Sequence, residues 1–251
     1  MLNKLSVVIV NYKSVSLIND IERYLADFGI AIIVVDNSDD FSSVSKFTKV
    51  IRGNGNIGFG LACNLGADFV RSELVLFLNP DAIIDKNTLC DLITLSLSEP
   101  DSILGPVVGS NRSEYSILQP LNKYGVNFIR RKINLNDLDH PHLKVSFISG
   151  ACMLIHKDRF SLLGGFCKDI FMYAEDVDLC IRNNELGGNN KLVTNLFVEH
   201  IGGLSSNKSS LLGKFRRYKN SVYGHYTFFR KNNGCIRSAF NSLYLASGIK
   251  L

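Results

Sequence analysis

Four short apolar runs punctuate the first hundred or so positions, at 5–10, 30–35, 74–78 and 103–108. Each is rich in Val, Ile or Leu, interrupted only by Ser6 in the first and Gly105-Pro106 in the last, the pattern of a strand covered on both faces, so four buried strands are predicted there. Between the first two, Leu17, Ile18, Ile21, Leu25 and Phe28 recur at helical spacing, and Gly29 supplies a stop. A second helix is expected after Gly60, with Leu61, Leu65 and Phe69 on one face. A third should start after Asp85, an N-cap residue, and carry Leu89, Leu92, Ile93 and Leu97. Strands alternating with amphipathic helices predict an α/β domain with a mainly parallel central sheet flanked by helices.

From 109 to 142 the periodicity fades into a polar stretch that reads as a long mobile segment, the kind that covers a site on such sheets. Order returns with Phe147-Ile148 and with Cys152-Met153-Leu154-Ile155, followed by a short helix ending at Gly164-Gly165. A helix from about 175 to 186 and a strand near 191–198 complete the globular part. Beyond it, Phe215, Tyr218, Val222, Tyr226 and Phe229 form a helical stripe flanked by Lys214, Arg216, Arg217, Lys219, Arg230 and Lys231. The expected division is a catalytic domain at 1–205 and a basic amphipathic helical extension at 206–251.

With 251 residues, 46% of them hydrophobic, the chain has material for one large core. No run reaches the 18 apolar residues of a membrane helix, and the opening run is too short for a signal peptide, so a cytoplasmic protein is expected. The six cysteines lack C-x-x-C spacing and read as reduced core thiols. Charge is uneven: the stretch 200–251 holds nine Lys/Arg and no acid, while everything before it nets −4. That asymmetry points to an anionic partner for the C-terminal part. A basic aromatic helix suits an anionic membrane surface, although the same stripe can pack on the core with its cations in water. No recognisable nucleic-acid module accompanies it, so nucleic acid is not expected as a partner.

The residues with chemistry cluster at predicted strand ends, where open α/β sheets bind ligands. Asp36 closes the second strand in Val34-Val35-Asp36-Asn37-Ser38, where its carboxylate can accept from a ribose or base, or cap a turn. Asp81 follows the third strand in Leu76-Phe77-Leu78-Asn79-Pro80-Asp81; the proline stops the strand and fixes the turn. A hard oxygen ligand there suits Mg²⁺ or Mn²⁺ on a diphosphate. Glu175, Asp176 and Asp178 crowd into four residues amid apolar neighbours. Mutual repulsion and burial can raise one of them into a base, and helix N-terminal acids give the alternative reading. His200 ends the last strand and either completes a metal site with Asp81 or is a turn residue. Gly53-Asn54-Gly55-Asn56-Ile57-Gly58 matches the dinucleotide fingerprint in letters but not in context, since no first strand precedes it and no acid ends the next. Such a loop still allows close approach of a nucleotide or sugar at Asn56 and Asn64.

In order along the chain stand Val8-Ile9-Val10-Asn11-Tyr12, Val35-Asp36-Asn37-Ser38, Asn56-Ile57-Gly58-Phe59-Gly60 with Asn64 and Gly66, Leu78-Asn79-Pro80-Asp81, Ser149-Gly150-Ala151-Cys152-Met153-Leu154, and Gly164-Gly165-Phe166 leading to Phe171-Met172-Tyr173-Ala174-Glu175-Asp176-Val177-Asp178-Leu179. Together these resemble the family 2 glycosyltransferases of GT-A fold, in the rhamnosyltransferase-like branch that builds bacterial surface polysaccharides such as O-antigen and capsule. The resemblance spans about 5–231, and its specificity lies in the order of the motifs. It implies a nucleotide-sugar site built from Val10, Asn11, Tyr12, Asp36, Asn37, Asn56, Gly58, Phe59, Asn64, Asn79, Asp81 and Gly150, with Asp36 on the nucleoside. It further implies Mg²⁺ or Mn²⁺ on Asp81 and His200, and Asp176 as catalytic base with Glu175 beside it. Asn79 replaces the first acid of the family's D-x-D motif, which leaves one fewer charge on the cation.

The implied reaction inverts the anomeric centre and moves a sugar, L-rhamnose from dTDP-L-rhamnose or a hexose from a UDP-sugar. The implied acceptor is a polyprenyl-diphosphate-linked saccharide at the inner face of the cell membrane, with the protein attached peripherally; a homodimer is left open. Two other classes compete. A nucleotidyltransferase needs a glycine-rich basic loop after strand one, which Asn11-Tyr12-Lys13-Ser14 lacks. A catalytically silent nucleotide-sugar-binding subunit is separable only by assay.

Overall fold

The computed structural model describes residues 1–43, 45–52, 55–109, 111–120, 128–200 and 211–233. The chain runs β1 (Leu5–Asn11), α1 (Val15–Ala26), β2 (Ala31–Asp36), β3 (Thr48–Arg52), α2 (Phe59–Ala67), β4 (Leu74–Leu78), β5 (Ala82–Ile83), α3 (Lys86–Ser98) and β6 (Ser102–Gly109). It continues with β7 (Glu114–Pro120), β8 (Phe128–Asn134), β9 (His142–Lys144), β10 (Cys152–His156), α4 (Lys157–Leu162), α5 (Glu175–Glu185), β11 (Asn189–His200) and α6 (Leu211–Asn233). All four predicted strands and all three predicted early helices form. Asp85 caps α3 as expected, its carboxylate accepting from the Thr88 N–H at 2.9 Å.

The main sheet has the order β3-β2-β1-β4-β10-β6-β11-β5, with β9 added beside β11. Alternate residues of its strands go to opposite faces. Val7, Ile9, Ile32, Val34, Leu74 and Leu76 face a core completed by Ile18 and Leu25 of α1 and Leu89, Leu92 and Ile93 of α3. Val8, Val10, Ile33, Val35, Val75 and Phe77 face a second core made with Ala62 and Cys63 of α2, Phe160 of α4 and Leu179 and Cys180 of α5. Covered on both faces, the strands need the near-continuous apolar runs that the sequence shows.

Parallel pairing holds for β3-β2-β1-β4 and again for β6 with β11, but β10 lies antiparallel between β4 and β6. The connection explains it. Lys144 pairs with Lys191 near the start of β11, whereas Cys152 pairs with Leu78 at the end of β4. The chain therefore climbs the second face between them and descends as β10, bringing the Ser149-Gly150-Ala151 loop to the edge where β1, β2 and β4 end.

The stretch 109–142, read as a mobile segment, is instead largely folded. β7 and β8 pair as an antiparallel hairpin, and Tyr115 and Ile133, opposite each other, pack on the second core with Ile117. The Arg112 guanidinium lies over the Phe197 ring at 4.5 Å and ties the hairpin's base to β11.

Candidate active site

β4 ends in a tight turn in which the Ala82 N–H donates to the Asn79 carbonyl at 3.1 Å, with Pro80 and Asp81 at its two central positions. The turn leads into the two residues of β5, which pair antiparallel with the end of β11: His200 sits opposite Ala82. That pairing brings together side chains far apart in sequence. His200 Nε2 lies 3.0 Å from Asp81 Oδ1 and 3.4 Å from Asn79 Nδ2, and Asp81 is buried. The expected Asp81–His200 neighbourhood thus forms. Gly202 and Gly203, which follow in sequence, lie outside the described residues.

On the next strands along the same edge, Asn11, Asp36 and Arg52 occupy one row, since Asn11 pairs with Asp36 and Asp36 with Arg52. Asp36 Oδ1 accepts from Asn11 Nδ2 at 2.8 Å and the Ser38 N–H at 3.2 Å; Oδ2 accepts from the Phe41 N–H at 2.9 Å and from Arg52. Burial works to raise this carboxyl, but the Phe41, Asn11 and Ser38 donors and the Arg52 charge outweigh it and hold the pKa below the ordinary value. Asp36, expected on the nucleoside, is 0% exposed and has donors on both oxygens, so within the protein it organises the loop after β2. Asn11 likewise spends its amide on Asp36, Ser38, Asp40 and the Ser14 N–H. Val10 faces the core, and Tyr12 is half-buried beside it.

Asn37 is different. Its Nδ2 donates to the Gly58 carbonyl at 3.1 Å and reaches Asn56 Oδ1 at 3.5 Å, yet its buried Oδ1 has no donor. A buried acceptor left open marks a place where a ligand donor would be welcome. Asn56 Oδ1 in turn accepts from the Gly58 N–H at 3.1 Å, so Asn37, Asn56 and Gly58 form one polar rim. Gly58 has φ 90° and a Cβ there would stand 2.3 Å from the Phe171 carbonyl oxygen, so only glycine fits. Gly53 and Asn54 of the same motif lie outside the described residues.

Two further residues expected to touch the donor, Asn64 and Phe59, also make contacts within the protein. Asn64 clamps a backbone turn, donating from Nδ2 to the Phe166 carbonyl at 2.9 Å and accepting the Phe166 N–H at 2.8 Å. Phe59 packs against Phe166, its ring within 3.2 Å of where a Gly150 Cβ would be.

At the start of α5, Asp176 is half-buried and accepts from the Gly150 N–H at 3.1 Å and the Val177 N–H at 2.8 Å. The buried Glu175 side chain packs beside Gly60 of α2, and its Oε2 has no partner. Burial raises both carboxyls; Glu175 is raised further by the Asp176 charge, whereas two backbone donors work against the rise at Asp176. Gly150 also connects the two acids of the site, because the next residue's carbonyl, that of Ala151, accepts the Asn79 N–H at 2.9 Å. One short loop therefore spaces the Asp81 turn from Asp176.

Tyr115, on the hairpin, was not singled out in the sequence. Burial and then the Asp176 charge push its phenol up to about 12, so it lies near Asp176. Alternation of Tyr115 and Ile117 with polar residues was the signal available for that strand. A cavity of about 560 Å³ opens at the other edge, beside Lys144 and Asn189 where β11 begins, and contains none of these acids.

The family model for glycosyl transferase family 2 matches residues 6–163, more than half of the chain and every element from β1 to α4. The chain belongs to glycosyl transferase family 2. The low-salt glycan biosynthesis hexosyltransferase Agl10 of Haloferax volcanii is 31% identical over 201 residues, covering 72% of this chain and 62% of that protein. The N-acetylglucosaminyl-diphospho-decaprenol L-rhamnosyltransferase of Mycobacterium tuberculosis is 25% identical over 211 residues, 66% of this chain and 67% of the relative. Among solved structures, GalNAc-T7 with UDP, GalNAc and Mn²⁺ superposes with a TM-score of 0.63 at 15% identity, over 90% of this chain and 50% of that one. The family 2 chain thus spans about two thirds or less of the length of these relatives, and it shares their fold.

The donor set of this family 2 site can be tested against a divalent cation. Among the described residues no group of three or more His, Cys, Asp or Glu side chains could hold a metal by itself. Asp81 and His200 offer one oxygen and one nitrogen that already meet. Ions such as Mg²⁺ and Mn²⁺ are commonly held by one or two protein ligands with substrate phosphates and water completing the shell, and the pair fits that mode.

Proposed function

We propose that this chain is an inverting glycosyltransferase that moves L-rhamnose from dTDP-L-rhamnose to a hydroxyl of a polyprenyl-diphosphate-linked saccharide. The observation that carries the reading is Asp176, a half-buried carboxylate steadied by two backbone donors and set one loop away from the Asp81–His200 pair. Asp176 takes the proton from the acceptor hydroxyl as that oxygen attacks the anomeric carbon from the face opposite the leaving group. The open Asn37 Oδ1 and the Asn56-Gly58 rim receive the nucleoside. Asp81 and His200 would hold a divalent ion, which would supply positive charge for a departing diphosphate. Rhamnose and the lipid-linked acceptor are supported by the mycobacterial relative, and a UDP-hexose donor is the second reading, supported by the 31% identical hexosyltransferase.

Residues 1–205 are the proposed catalytic part, with 206–251 as an extension. On α6, Phe215 is 68% and Tyr218 42% exposed, next to the exposed Lys219. We assign this surface to an anionic membrane face where a lipid-linked acceptor resides.

The test is transfer to N-acetylglucosaminyl-diphospho-decaprenol with Mn²⁺ and dTDP-L-rhamnose, UDP-glucose or UDP-galactose in parallel. Asp176→Asn should lower kcat by about 10²–10⁴ while dTDP-L-rhamnose still raises the melting temperature. Full activity in that variant would remove Asp176 as the base. Stabilisation by a sugar nucleotide with no product from any pair would make the protein a silent binding subunit.

A further inference from the structure

Asp176 is delivered by an unusual turn. Tyr173 and Ala174, neither of them glycine, both adopt left-handed backbone, with φ 68° and 73°, and Ala174 is the N-cap of α5. Side-chain-bearing residues avoid that region, and two in succession persist only where the surroundings over-determine them. On one side the surroundings are α2: the Phe59 N–H donates to the Phe171 carbonyl at 3.1 Å, and Gly58 leaves room for it. On the other side they are α6. A Cβ on Gly224 would stand 2.3 Å from the carbonyl oxygens of both Met172 and Tyr173, so the helix backbone rests directly on the turn. One helical turn further on, Phe228 is 3% exposed and packs with Ile170, Ala174 and Val177.

A glycine in mid-helix weakens the helix relative to alanine, so its presence calls for a reason. Close backbone approach is that reason here. The contact also falls away from Phe215 and Tyr218, the exposed part of the aromatic stripe.

We infer that α6 is a positioning element of the active site, with Gly224 and Phe228 holding the Met172-Tyr173-Ala174 turn in the strained form that aims Asp176. The inference rests on the base role proposed for Asp176, but its structural half can be tested without that role. The C-terminal helix is then required for turnover even on an acceptor that needs no membrane.

Gly224→Ala is the direct probe in the full chain, because it favours helix while forbidding the contact. Phe228→Ala removes the anchor without adding an atom, and serves if the extra methyl disturbs more than the turn. Hydrogen exchange should quicken by roughly tenfold in residues 171–179 and stay unchanged in β1 and β4. With dTDP-L-rhamnose and a short-chain analogue of the decaprenol acceptor, kcat should fall about a hundredfold, with the dissociation constant for dTDP within about twofold of wild type. Wild-type exchange and wild-type kcat in both variants would overturn the inference. If the wild-type chain itself transfers nothing, the substrate reading fails, while the exchange result still decides whether α6 holds the turn.

Discussion

Two adjacent carboxyls, Glu175 and Asp176, divide their tasks by environment. Asp176 accepts two backbone N–H groups, which work against the rise that burial imposes on it; Glu175 is buried with an open Oε2, and burial and then the Asp176 charge push it up to about 8. Glu175 makes a prediction with a definite sign. Its folded pKa is raised by burial and by Asp176, so its favourable contribution is complete below the ordinary carboxylate range and is lost as pH rises through the raised value. The melting temperature of Glu175→Gln should therefore gain on wild type from about pH 5 upward, by about 2–4 °C for each kcal/mol recovered. A difference curve that stays flat with pH would place the proton elsewhere.

At the scale of elements, the site depends on short connections that are locked by backbone contacts. The Asn79–Ala82 turn, the Gly150 loop and the Asn64 clamp each join pieces of chain distant in sequence. Removing the clamp with Asn64→Ala leaves the Phe166 N–H and carbonyl unpaired near the core, which should cost about 1–3 kcal/mol in urea unfolding. Affinity for dTDP-L-rhamnose should hardly change; a large loss of donor binding with unaltered stability would return Asn64 to the ligand. The sequence made β1, β2, β4, β6 and the first three helices legible, because burial on both faces writes itself as near-continuous Val, Ile and Leu. It hid β5, whose two residues carry no period, and the β7–β8 hairpin, whose outer face is as polar as a loop. Asp36 and Asn64 were legible as special residues but not in their intramolecular contacts, since Arg52 and Phe166, the partners that engage them, are set by register and packing.

At the scale of the whole molecule, the parallel half of the sheet carries Asn37 and its polar rim with Asn56 and Gly58, and the mixed half lies beside Asp176 and the hairpin. α6 sits against the second half through Gly224 and Phe228 while exposing Phe215 and Tyr218. If that exposed face meets the membrane, the protein should sediment with anionic phospholipid vesicles, less with zwitterionic ones, and less as salt rises. Replacing both Phe215 and Tyr218 by Ala should weaken the binding by roughly tenfold or more. Undiminished binding of that variant would leave the aromatic face without a membrane role.

The pairing of β5 with β11 has a consequence for a chain still on the ribosome. Asn79 and His200 are 121 residues apart, which is roughly ten seconds of synthesis at 5–20 residues per second. Until β10 emerges, the edge of β4 has no neighbour on that side; until β11 emerges, Asp81 has no imidazole beside it. However early the first strands pair, the nascent protein exposes the apolar β4 edge until β10 arrives to pair with it.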